Sequence, residues 1–209
     1  MQIISHRGYW KHPDEKNSQL GFDRSFSLSF GTETDFRDYH GELVIAHDMA
    51  TPQSIKANNF FETYLKYGCT STLALNIKAD GLQLKMRELI DKYKITNYFV
   101  FDMSIPDTIG YIKQGLNFYS RQSEYEAQPA FYNECAGIWL DAFLGTWYNN
   151  DLILNHLNNN KQVAIVSPEL HGREHLLLWQ QLKAGNLHQQ NDLILCTDIP
   201  EDAVTFFEA

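Results

Sequence analysis

Short apolar runs recur along the chain, each followed by a polar turn and then by a stretch in which apolar residues return at helical spacing. The runs predict strands over residues 2–5, 31–36, 73–77, 98–101, 117–120, 137–140, 162–166 and 192–196. Helical periodicity lies between them, over 18–30, 82–93, 105–114, 150–157, 174–183 and 201–207. Strands alternating with helices form a parallel sheet, and eight such repeats in a chain this short fit an α/β fold of the compact (β/α)8 TIM barrel type better than an open sheet. Two places break the rhythm. The sequence Asp38-Tyr-His-Gly-Glu-Leu43 reads as a tight turn, with 44–46 as the return arm of a hairpin. Between Arg121 and Ala136 there is little room for a full helix, and Pro129 interrupts what room there is. Asn158–Asn160 reads as a helix end and loop.

Composition narrows the possibilities. With 209 residues, 44% of them apolar, the chain can bury one substantial core, and a single domain over 1–209 is expected. A net charge of −9 without any run of Lys or Arg argues against a nucleic-acid partner or a broad basic membrane-binding surface. An anionic substrate would then need a local positive centre: an Arg, a Lys or a divalent cation. No stretch approaches the roughly 18 apolar residues of a membrane span, and the first residues show no leader pattern, so no integral membrane association is expected. Cys69, Cys135 and Cys196 are widely spaced and lack the short paired spacing of a zinc site, which reads as reduced core thiols suited to a cytoplasmic protein.

Active sites of parallel barrels lie at the C-terminal ends of the strands, so the polar residues there carry the chemistry. The first strand runs into Ser5-His6-Arg7-Gly8. The second carries Glu33 and Asp35, two residues apart and therefore directed to one side. Two carboxylates on one face repel unless something cationic lies between them. Either Arg and Lys partners or a hard divalent ion would serve, and Mg²⁺ commonly takes only one or two carboxylates together with water and phosphate. His47 follows the hairpin and is either a structural residue or a partner of His6 in a general acid–base pair acting near neutral pH.

The order His6-Arg7-Gly8, Asn17-Ser18, Gly31-Thr-Glu33-Thr-Asp35 and His47-Asp48 resembles the signature of the glycerophosphodiester phosphodiesterases, which are similar to the phosphatidylinositol-specific phospholipases C. The likeness continues at Asn76-Ile77-Lys78 and at Cys196-Thr-Asp-Ile-Pro200, and so spans nearly the whole chain. The resemblance implies that His6 and His47 are the acid–base pair, that Glu33 and Asp35 hold one divalent cation, Mg²⁺ or Ca²⁺, and that Arg7 and Lys78 contact phosphate oxygens. It implies a metal-dependent phosphoric diester hydrolase acting on a small-molecule glycerophosphodiester. There are three departures from the family pattern. Lys16 stands where the family has Glu, and Asn76 stands where a further metal-ligating Glu is usual, leaving a neutral oxygen donor in its place. Only about two dozen residues separate Asp48 from the next predicted barrel strand, so no sizeable insertion subdomain is expected.

Late strands add Trp139 and Asp141, spaced to share a direction, and Glu169 at a strand end. Trp139 and Glu169 are candidates for substrate binding, while Glu169 could equally pair with Arg173 or cap the next helix. Arg121 ends the fifth strand with an open role, and Trp10 belongs to a loop expected to border the site. Two other readings stand beside the hydrolase: a phosphodiester-binding barrel with reduced or lost turnover, prompted by Asn76 and Lys16, and an unrelated barrel enzyme such as a sugar-phosphate isomerase or lyase. The latter leaves the His-Arg-Gly and His-Asp motifs unexplained.

Overall fold

A computed structural model describes residues 1–209. In chain order its elements are β1 (Gln2–His6), α1 (Gln19–Ser27), β2 (Gly31–Tyr39), β3 (Glu42–Ile45), β4 (Ile55–Lys56), α2 (Ala57–Lys66), β5 (Leu73–Ile77), α3 (Gln83–Tyr93), β6 (Tyr98–Phe101) and α4 (Ile105–Lys113). They continue with β7 (Tyr119–Gln122), β8 (Gly137–Leu140), α5 (Asn150–Asn158), β9 (Gln162–Val166), α6 (Leu176–Ala184), β10 (Leu193–Thr197) and α7 (Pro200–Glu208). This is the strand–helix alternation of a (β/α)8 chain, with β3 and β4 added after the second barrel strand and a loop in place of a helix between β7 and β8. The contacts divide it into two units, Ser5–Phe118 and Met1–Ile4 with Tyr119–Ala209.

In the unit Ser5–Phe118, β2 is the organising strand. It pairs in parallel with β5, from Thr32 opposite Leu73 to Phe36 opposite Ile77, and β5 pairs in parallel with β6. Beyond Phe36, β2 turns antiparallel partner to β3, from Phe36 opposite Ile45 to Tyr39 opposite Glu42, and β3 pairs with β4. The hairpin turn is tighter than its composition predicts: only His40 and Gly41 form it, at φ 48° and 81°. Two consecutive positive φ values match the twist of the flanking strands, which is why the turn needs only two residues. Helix α1 begins at Ser18, whose hydroxyl accepts from the Gly21 amide at 3.1 Å. Its inner face, Phe22 and Phe26, meets Phe60 of α2 at ring separations of 4.8 and 5.7 Å, and Phe36 of β2 joins them. Helix α2 and strand β4 were not foreseen from the pattern. Asn58, Asn59 and Thr63 are weak helix formers, and the helix is held by its buried face of Ala57, Phe60, Phe61 and Tyr64.

In the other unit β10, β9, β8 and β7 run side by side in parallel. The strand expected over 117–120 lies two residues further on, because Arg121 and Gln122 pair with Trp139 and Leu140 of β8 in spite of their polarity. Gln122 is buried and accepts at Oε1 from His156 Nε2 over 2.8 Å, while the Tyr132 hydroxyl meets His156 Nδ1 at 2.9 Å. Burial lowers the His156 pKa from its ordinary 6.5. Trp179 of α6 is buried against Phe206 and Phe207 and donates its indole N–H to Ser167. Past β8, the amides of Phe143, Leu144 and Gly145 converge on the Glu124 carboxylate at 2.8–3.3 Å. All three cysteines are buried thiols that form no disulfide, Cys69 in the first unit and Cys135 and Cys196 in this one.

Candidate active site

Of the residues that the resemblance singles out in the first half of the chain, His6, Arg7, Glu33, Asp35, Asn76 and Lys78 gather on β1, β2 and β5 and just beyond β1 and β5. Arg7 and Gly8, directly after β1, take positive φ values of 58° and 79°. That bend aims the Arg7 amide at the Glu33 carbonyl, 2.9 Å away, with Glu33 Oε2 at 3.2 Å, and the Gly8 amide at the Thr32 hydroxyl, 2.9 Å away. Glycine is required at position 8 twice over. The backbone conformation is strained for other residues, and a Cβ would sit 2.8 Å from the Gly21 carbonyl carbon of α1. Asn17, also at positive φ, binds the Arg7 carbonyl through its amide. Its side chain donates to Asp35 Oδ2 at 2.7 Å and accepts from Thr34 at 2.8 Å.

Glu33 and Asp35 are both buried on β2. Asp35 Oδ2 faces Arg7 Nε at 3.2 Å, and Asp35 Oδ1 has Lys78 Nζ at 3.5 Å. Glu33 Oε1 accepts from Asn76 Nδ2 at 3.1 Å, and His6 Nε2 stands 3.9 Å from Oε2. The pairing of β2 with β5 puts Asn76 opposite Asp35, two residues along β2 from the Glu33 that its side chain binds. Burial pushes the Glu33 carboxyl up to about 8, and the charge of Asp35 adds to the rise against the opposing pull of Arg7 and Lys78.

Two buried oxygens in this cluster, Asp35 Oδ1 and Asn76 Oδ1, make no hydrogen bond. Buried acceptors are rarely left so, and together with the Glu33 carboxyl they form an all-oxygen donor set of the kind that suits Mg²⁺ or Ca²⁺. The residues therefore fit one divalent cation. No three His, Cys, Asp or Glu side chains come together as a metal cluster, which reflects the amide at position 76.

Other candidates lie elsewhere. His47 is partly exposed and its ring nitrogen Nδ1 meets Asp48 at 3.0 Å; no hydrogen bond joins it to His6 or to the carboxylates. Trp10 carries Lys16 Nζ 4.3 Å over its ring, so the basic residue at the position of the family's Glu is engaged in a cation–π contact. In the second unit Trp139 is buried on β8. Both Glu169 oxygens are occupied, by the hydroxyls of Thr197 and Ser167 at 2.5 Å and by the Asp198 amide at 3.2 Å. Of the alternatives for Glu169, an ion pair with Arg173 does not form; Arg173 instead donates to the Ala142 carbonyl. Arg121 pairs with Glu126 at 2.6 Å. Two polar contributors went unassigned in the sequence. Asp102, at the end of β6, reaches Lys78 at 3.7 Å, and its position at a strand end was the available signal. His171 meets Asp141 at 2.8 Å and belongs to a short turn that no periodicity marks.

The alternation of strands and helices, with acids, amides and cations collected on β1, β2 and β5, is the pattern of a (β/α)8 fold. Neither a protein-family model nor a curated protein matches the chain. Among solved structures it is similar to a glycerophosphodiester phosphodiesterase from Agrobacterium tumefaciens, at TM-score 0.71 and 13% identity over 100% of both chains. It is also similar to an Oleispira antarctica phosphodiesterase in complex with the product sn-glycerol-3-phosphate, at TM-score 0.67 and 12% identity, over 100% of this chain and 97% of that one. A Ca²⁺-dependent phosphatidylinositol-specific phospholipase C from Streptomyces antibioticus matches at TM-score 0.60 and 8% identity, over 99% of this chain and 96% of that one. The fold is the TIM barrel of glycerophosphodiester phosphodiesterases, as the sequence resemblance implied.

Proposed function

We propose that the chain is a phosphoric diester hydrolase that cleaves a small glycerophosphodiester-like substrate. The observation that carries this reading is the convergence of His6, Arg7, Asn76 and Lys78 on the buried Glu33–Asp35 pair. Arg7 and Lys78 offer positive charge to the non-bridging phosphate oxygens, answering the need of an acidic chain for a local positive centre. His6, backed by Glu33, takes or gives a proton at the reacting oxygens, and His47 completes the exchange once it turns inward from its partly exposed place. The attacking oxygen, from water or a neighbouring substrate hydroxyl, gives up its proton to one imidazole as it bonds to phosphorus. The departing alkoxide takes a proton from the other as its bond to phosphorus breaks. One divalent cation, Mg²⁺ or Ca²⁺, held by Glu33, Asp35 and Asn76, would supply further charge against the phosphoryl oxygens. Both the Oleispira enzyme's bound product and the Ca²⁺ dependence of the Streptomyces enzyme support this assignment by analogy. We read residues 1–209 as one functional domain acting on a small molecule in the cytoplasm.

The test is release of sn-glycerol 3-phosphate from a panel of glycerophosphodiesters, with chelator and after restoring single divalent ions. Release that chelator abolishes and one ion restores supports the hydrolase. Product binding without release from any member of the panel supports instead the binding barrel that the amide at position 76 first raises. Neither release nor binding removes the phosphodiester reading.

A further inference from the structure

Resting on that reading of the site, we propose that Asp102 is a positioning residue for Lys78, holding its ammonium away from Asp35 so that it can meet a phosphate oxygen. Lys78 leaves the end of β5, anchored by its amide on the Phe36 carbonyl at 2.9 Å. Asp102 leaves the end of β6, whose pairing sets Phe101 beside Asn76, so the two residues emerge from adjacent strands. The Lys78 Nζ lies 3.5 Å from Asp35 Oδ1 and 3.7 Å from Asp102 Oδ2. Both distances exceed the ~2.7–2.9 Å of a docked ammonium–carboxylate hydrogen bond. The ammonium is thus shared between two carboxylates and seated on neither.

This sharing matters because Asp35 alone is a strong attractor. It is fully buried, and its Oδ1 makes no hydrogen bond. A lysine drawn from one side only would close on that oxygen, where low dielectric makes the pair tight. Closure would remove at once the positive charge that a substrate phosphate needs and the oxygen that a cation needs. Asp102 balances the pull from the opposite strand. Its backbone supports that placement: φ is 68°, a left-handed conformation uncommon outside glycine but tolerated by Asp and Asn. Asparagine at 102 therefore removes the charge while keeping both shape and backbone.

The experiment compares wild type, Asp102→Asn, Lys78→Met and the double variant, measuring sn-glycerol 3-phosphate affinity by calorimetry with divalent cation present, and kcat and KM on the best glycerophosphodiester. Asp102→Asn is expected to weaken product affinity and raise KM about tenfold, with kcat changed less than KM, as for a lost charge-assisted contact made in ground and transition states alike. In the Lys78→Met background the same substitution should add nothing, because its effect passes through the lysine. Unchanged affinity and KM in Asp102→Asn, or losses that simply add in the double variant, would overturn the proposal. Asp102→Gly, which also accepts the left-handed backbone, repeats the comparison if the Asn variant folds poorly. A wild type that neither binds sn-glycerol 3-phosphate nor hydrolyses any glycerophosphodiester defeats the site reading itself, whereas a fully active wild type with an indifferent Asp102 defeats only this inference.

Discussion

Asn76 serves the site with its two ends unequally: its nitrogen donates to Glu33, and its oxygen is buried with no donor of its own. A neutral amide attracts a cation less than a carboxylate does, so the site should bind its ion weakly in the absence of substrate phosphate. Asn76→Glu is expected to tighten divalent-ion binding without substrate, measured by calorimetric titration; equal affinities would place residue 76 outside the coordination shell. The rate need not rise with the affinity, because added negative charge also weakens the attraction for phosphoryl oxygens. For the imidazoles, His6→Ala and His47→Ala should each lower turnover by about 10²–10⁴-fold with the fold intact, the usual worth of a positioned proton transfer. Steady-state rates alongside circular dichroism check this, and near-normal turnover in either variant would exclude that ring as acid or base. The two acids on β2 were legible in the sequence because strand alternation sets two residues two apart on one side. What they touch was not legible, since Arg7 and Asn17 reach Glu33 and Asp35 from left-handed backbone positions that no propensity reveals.

At the level of elements, the loop after β1 and helix α1 approach each other through glycine. Gly8→Ala would place a methyl group against the Gly21 backbone and force a left-handed alanine. The expected loss is about 1–3 kcal/mol of stability, read from denaturant unfolding, with activity falling further because Arg7 shares the bend. An alanine variant as stable and active as wild type would show that the loop can relax away from the helix. The strands that could be read without error, Leu73–Ile77, Tyr98–Phe101, Gly137–Leu140 and Gln162–Val166, are mostly apolar runs bounded by polar turns. Strand β7 was misplaced because Gln122, polar in sequence, is buried by its bond to His156. Helix α2 was missed for the opposite reason: its propensity is poor, and only tertiary packing of its phenylalanines holds it.

Stability of the whole molecule should respond to acid through His156. Its folded pKa is lowered by burial, so below 6.5 the unfolded chain takes up the proton first, and stability is lost as pH falls through that value toward the lowered one. Denaturation midpoints should fall as pH drops below about 6.5, and His156→Gln, which cannot titrate, should flatten the slope; an identical slope would mean that other groups govern acid sensitivity. The chain also carries its own reporters of opening. Because Cys69, Cys135 and Cys196 are all buried and outside any disulfide, a thiol reagent can reach them only when the surrounding structure parts. Their labelling rates are clocks: Cys69 times excursions of the unit that holds the acids and cations, Cys135 and Cys196 those of the other, without any probe having to be introduced.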